Sequence, residues 1–103
     1  MNRLEKQCYT DYVIRSLCFY SRYQNKSIFK NEVDKSNWLA CHNVLKRYSD
    51  RDRDILTYVY GAFDTVPDNV YVMANKYKIH QNIIWNMMKE LEKEVAIERG
   101  LWV

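Results

Sequence analysis

Only three of the 103 residues are Gly or Pro: Gly61, Gly100 and Pro67. A fold of many short strands reverses direction often, and tight reversals draw on Gly and Pro for backbone angles that other residues resist. So sparse a supply excludes a loop-dominated or collagen-like chain and disfavours a strand-rich sandwich or barrel. Long helices joined by a few polar links remain. With 48% hydrophobic and 28% charged residues, the chain has apolar material for a core, unlike a disordered one. Its length suits one core, since domains typically run to roughly 100–150 residues. The expectation is an all-α single compact domain over 1–103, with about five helices divided into an N-terminal helical part, 1–47, and a C-terminal part, 48–103.

The first helix is expected over roughly Arg3 to Arg22. Tyr12, Val13, Ile14, Leu17, Cys18, Phe19 and Tyr20 fall within nine positions, and at about 100° per residue they surround the axis. A helix apolar all round is buried on several sides. It is therefore either the central helix of the fold or half of a dimer interface, and we expect the central helix and a monomer. After a polar stretch from Gln24 to Lys35, Asp34 or Ser36 offers an N-cap. Trp38, Cys41, His42, Leu45 and Tyr48 then make an amphipathic stripe. His42 on this stripe reads as a satisfied, partly buried side chain rather than a catalytic one.

A third helix begins with Ser49 as cap and carboxylates in its first turn. Ile55, Leu56, Val59, Tyr60 and Phe63 form its apolar face, and the charge run Asp50 to Asp54 reads as solvated surface. Asp64 to Asn69 is the clearest turn, because Pro67 fixes its own φ and biases Val66 away from helix. A short fourth helix, about Val70 to Tyr77, follows either Pro67 at its first position or Asn69 as cap. The pattern breaks at Lys78, Ile79 and His80. A fifth helix, about Gln81 to Glu98, places Ile84, Met88, Leu91 and Val95 on one seam. Asn82, Asn86, Lys89 and Lys93 lie almost opposite, between about 140° and 200° from Ile84. Glu90, Glu92 and Glu94 flank the two lines, and Trp85 lies at the rim.

The early charges Arg3, Glu5 and Lys6 argue against a secretory signal. The longest apolar run, Val70 to Ala74, is far short of the roughly 20 residues of a membrane helix. A cytoplasmic protein without a membrane span is expected, and its three cysteines, Cys8, Cys18 and Cys41, then read as small buried hydrophobes. Only Cys41 and His42 are close in sequence, with no CxxC or HxxxH spacing, so no metal or other cofactor is expected. The aromatics Trp38, Tyr58, Tyr60 and Phe63, and the pair Met87 and Met88, read as core rather than a cofactor box.

Charge is uneven. Residues 1–47 hold nine Lys/Arg against four Asp/Glu, whereas residues 48–103 hold seven against nine, for a net charge of +3. That surplus alone does not specify a nucleic-acid partner, so the placement of the charges has to decide.

A short helix, a break of about three residues and a longer helix with a polar outer face make the layout of a helix-turn-helix. Met73, Ala74 and Ile79 would pack the first helix across the second, holding the second proud enough to enter a major groove about 12 Å wide. Amides near its start could pair with adenine edges, and lysines further along could meet phosphates. The expected DNA-binding residues are Gln81, Asn82, Trp85, Asn86, Lys89 and Lys93.

From Tyr48 to Ala96 the chain resembles region 4 of bacterial sigma factors. The matching pieces are Tyr48-Ser49-Asp50-Arg51-Asp52-Arg53-Asp54-Ile55-Leu56, then Val72-Met73-Ala74, Ile79, and Ile84, Met88, Leu91 and Val95. The match is one of pattern over about half the chain. The whole also resembles small prophage and mobile-element regulators of the RinA and ArpU kind, including the closing Glu98-Arg99-Gly100-Leu101. Lys78 stands where the family usually has Gly, His80 where it has Ser or Thr, and Asn82, Asn86 and Glu90 replace an Arg-rich outer face. The resemblance implies a sequence-specific, DNA-binding transcriptional regulator whose partner is double-stranded DNA. The alternative is an interaction module of the same fold that binds a protein such as RNA polymerase, in keeping with the acidic balance of residues 48–103. No motif joins a nucleophile, a base and an orienting group, so an enzyme is not expected.

Overall fold

Capping and polar punctuation divide the chain into five helices, α1 (Arg3–Arg22), α2 (Glu32–Leu45), α3 (Asp50–Gly61), α4 (Val66–Tyr77) and α5 (Gln81–Glu98). The computed structural model of the protein describes residues 3–25 and 28–101, with side chains from Thr10 onward, and no strand occurs among them. The side chains of Arg3, Lys6, Cys8 and Lys26, which enter the readings above, lie outside the described residues.

The apolar ring of α1 is covered from within the chain except at Tyr12, which is exposed, because α2, α3 and α5 all pack against this helix. Val13, Leu17 and Tyr20 are buried there, and Ile14, Cys18 and Phe19 pack partly buried around them. The core continues through Cys41, Val44 and Leu45 of α2, Ile55, Leu56 and Val59 of α3, Val70 and Met73 of α4, and Ile84, Met88, Leu91 and Val95 of α5. Burial pushes the Cys41 thiol up to about 12, which leaves it protonated and inert. The Cα radius of gyration is 13.5 Å, as expected for one core at this length.

Two helix starts differ from the sequence reading. Asn31, not Asp34 or Ser36, caps α2, and its Oδ1 accepts from Asp34 N–H at 2.9 Å. Asp34 serves in the first turn, where a carboxylate meets the positive end of the helix dipole. The α4 helix begins at Val66 and is a turn longer than expected: Thr65 is its cap, accepting from Asp68 N–H at 3.3 Å, and Pro67 sits in the first turn. Asn69 therefore caps nothing. Its side chain is buried, and Nδ2 donates to Val59 O at 3.0 Å, Asp64 O at 3.3 Å and Ala62 O at 3.5 Å, tying α4 to the end of α3.

Phe63 is also displaced from its expected place. α3 stops at Gly61 and Ala62 is extended, so Phe63 loses the helical register of Ile55, Val59 and Tyr60. It is 90% exposed, with the Arg22 guanidinium 4.9 Å from its ring centroid. Gly61 lies at the crossing of α3 over α1, where a Cβ would come within 3.0 Å of Ser21 Cβ, so a larger residue there would force the helices apart.

The charge run of α3 is only partly solvated surface. Asp50 is exposed, but Arg53 reaches back across the corner, its guanidinium donating to Leu45 O at 3.2 Å, Lys46 O at 3.3 Å and Tyr48 O at 3.0 Å. One cation thus serves three carbonyls at this corner, of which Leu45 O also accepts from Tyr48 N–H at 3.0 Å. Asp54 accepts from the Tyr77 hydroxyl and from Lys76 Nζ, linking α3 to α4. These bonds, led by Tyr77, hold the Asp54 carboxyl below its ordinary pKa.

His42 is the satisfied residue its stripe suggests. It stacks on Trp38, with centroids 4.9 Å apart, and Nδ1 lies 3.0 Å from the Tyr20 hydroxyl. Trp38 is fixed in turn by its indole N–H donating to Tyr23 O at 3.0 Å.

Candidate nucleic-acid interface

The α4–α5 corner turns on Lys78, which adopts φ 55 and ψ 48 in the left-handed region. A non-Gly residue there costs on the order of 1 kcal/mol, and the corner offsets that cost locally. Ile79 N–H reaches back to Ala74 O at 3.0 Å, and Ile79 packs partly buried against the core beside Ala74 and Met73. This closure satisfies a carbonyl at the end of α4 and fixes the direction of α5. His80 then caps α5 through its ring, Nδ1 accepting from Asn82 N–H at 3.0 Å. Lys78 thus makes a left-handed turn without Gly, and His80 a helix cap without a Ser or Thr hydroxyl.

On α5 the seam Ile84, Met88, Leu91 and Val95 is buried, and Gln81, Asn82, Asn86, Lys89 and Lys93 are exposed. Five of the six expected DNA-binding residues therefore lie at the surface. Trp85 is half-buried and packs against the core, so its ring is committed largely to the fold.

The exposed line changes character along the helix. Asn82 and Asn86 stand on its first two turns with no charged residue between Ile79 and Met88. Lys89 and Lys93, further on, border a groove against α1 that is also lined by Thr10, Val13, Ala96, Glu90 and Glu92. Neither lysine has an ion-pair partner among the described residues, whereas Lys76 is held by Asp54 and Arg47 by Glu98.

The acidic flank is largely engaged in structure. Glu94 accepts from the Tyr48 hydroxyl at 2.9 Å and Glu92 from the Tyr60 hydroxyl, while Glu90 is exposed. Sequence reasoning placed these carboxylates on the flanks but did not see their tyrosine partners, which come from the α2–α3 link and α3.

Burial raises the Glu92 carboxyl above its ordinary range, against the smaller opposing effect of the Tyr60 hydrogen bond. Below the unfolded value of about 4.3 both states hold the proton and no penalty arises. As pH rises through the higher folded value, the folded state must give up a proton it binds more tightly, and stability is lost. Glu92→Gln keeps an acceptor for Tyr60 without the charge. We expect its urea midpoint to exceed the parent's at pH 7 and the difference to close near about pH 4. An equal gain at both pH values would show that charge burial is not the cause.

Among the described residues no helix is long and apolar enough to cross a membrane, and no group of three or more His, Cys, Asp or Glu side chains is placed to hold a metal ion. No family model, curated protein or solved structure matches this chain.

Proposed function

We propose that the protein is a sequence-specific DNA-binding regulator of transcription that lays α5 in the major groove. The observation that carries this reading is the α4–turn–α5 corner, whose left-handed Lys78 presents an outward line of Asn82, Asn86, Lys89 and Lys93 that includes no acid. Amides can pair with base edges, and ammoniums further along can meet phosphates. The resemblance to sigma region 4 and to small mobile-element regulators supports transcription as the process served.

A second reading has its own observation. Glu90 and Glu92 line the same groove as Lys89 and Lys93, a mixed-charge surface better suited to a protein such as RNA polymerase than to a polyanion.

Fluorescence anisotropy of the full chain on a random-sequence duplex over a salt series separates the two. DNA binding should weaken steeply as salt rises. Lys89→Ala should weaken it on every sequence and reduce the slope of log K against log salt by about one, as for one lost phosphate contact. An unchanged slope removes Lys89 from the docking face. No salt-dependent binding at all would overturn the DNA reading in favour of a protein partner.

A further inference from the structure

Ile83 is 45% exposed although its neighbour Ile84 is fully buried. It is a branched aliphatic side chain facing solvent on the first turn of α5, where the core makes no use of it. At about 100° per residue, Asn82, Asn86 and Ile83 span an arc of about 100°, with Asn86 between the other two. Gln81 is exposed as well, about 100° from Asn82 on the side away from Ile83. The outward surface of these two turns thus consists of three carboxamides and one aliphatic group.

Each base pair asks for different chemistry in the major groove. Guanine offers two acceptors, best met by the paired donors of Arg or by Lys; cytosine offers an amino donor, best met by a carboxylate. Neither is present on these two turns, since no Lys, Arg, Asp or Glu occurs between Ile79 and Met88, and Lys89 and Glu90 stand a turn further on. Adenine offers a donor beside an acceptor, which a carboxamide matches with both of its groups, and thymine offers a methyl group that an aliphatic side chain can cover. The His80 ring nitrogen nearest the helix is already occupied by Asn82 N–H.

Resting on the reading that α5 enters the major groove, we propose that its first two turns select A·T over G·C base pairs, with Asn82 and Asn86 facing adenine edges and Ile83 covering a thymine methyl. Ile83 is then a specificity-determining residue, and the missing arginines are what exclude G·C-rich sites.

The test is the affinity of the full chain for four alternating duplexes at one fixed salt concentration: adenine–thymine, guanine–cytosine, adenine–uracil and inosine–cytosine. Uracil removes only the thymine methyl, and inosine–cytosine joins a G·C-like major groove to an A·T-like minor groove. The adenine–thymine duplex should bind at least about tenfold more tightly than the guanine–cytosine one. Adenine–uracil should fall between, and inosine–cytosine should behave as guanine–cytosine.

Ile83→Ala should abolish the difference between thymine and uracil, with circular dichroism confirming that the variant remains helical. Ile83→Val, which retains part of the aliphatic surface, should keep part of that difference. Equal binding to adenine–thymine and guanine–cytosine overturns the selectivity and leaves DNA binding standing. Inosine–cytosine bound as tightly as adenine–thymine overturns it too, by moving the preference to the minor groove. Binding to none of the four overturns the DNA reading itself.

Discussion

Leu17→Glu should abolish the fold. Leu17 is fully buried in the second half of α1, the helix against which α2, α3 and α5 all pack. Removing a buried Leu side chain alone costs about 2–5 kcal/mol. A carboxylate in its place, without a cationic partner, adds several kcal/mol or forces water into the core. Together these approach or exceed the 5–15 kcal/mol that a domain of this kind commands. The expected result is loss of the helical circular-dichroism signal at 25 °C with no cooperative melt, while Leu17→Ala still melts cooperatively at a lower temperature. The same position tests assembly. A helix covered within one chain predicts a monomer in sedimentation at micromolar concentration, whereas a folded, monomeric Leu17→Glu derived from a dimeric parent would place α1 in an intermolecular interface.

Asn69→Asp should be nearly as damaging, for an electrostatic reason. The Asn69 amide nitrogen donates to carbonyls of Val59, Ala62 and Asp64, and its Oδ1 has no hydrogen-bond partner among the described residues. A carboxylate is nearly isosteric but has no donor, so at pH 7 it would bury a negative charge against three carbonyl oxygens. We expect a loss of about 3–5 kcal/mol. At roughly 4–8 °C per kcal/mol, the melting temperature should fall accordingly. Burial raises the carboxyl pKa in the folded variant, so its stability should recover as pH falls and the protonated group regains one donor. Asn69→Leu leaves the carbonyls unpaired but uncharged and should lose about 1–3 kcal/mol with little dependence on pH. If the two variants lost the same amount at every pH, the buried charge would not be the cause.

Residues that settle structure through period and sign were legible, and those that settle it through a distant partner were not. The bounds of α1 and α5 and the buried seam of α5 follow from apolar spacing alone. Ser49 declared itself as a cap because Asp52 stands three residues on, and the same pairing was present in Thr65 and Asp68 but was hidden by Pro67 between them. Asn31 was overlooked because Asp34 and Ser36 have equal intrinsic claims to cap, and only packing chooses among them. Phe63 followed a helical period that the chain abandons at Gly61. At the candidate interface, the exposed line of amides and lysines could be read by angle. The groove that brings Glu90, Glu92, Lys89 and Lys93 together with α1 depends on contacts across some 80 residues and leaves no local trace.

The guanidinium of Arg53 bears on how such a chain can be recombined. Its three carbonyl acceptors all belong to residues 45–48, at the junction between α1–α2 and α3–α5. Residues 48–103 cut away on their own would carry the cation without two of its carbonyl acceptors, and α3 without the α1 helix that packs against it. Swapping the N-terminal helices for those of another protein should succeed only where the replacement brings a helix end that presents carbonyls at the same corner. Single side chains on the outer face of α5 can thus be exchanged without touching this corner, whereas exchanging a whole half has to rebuild it.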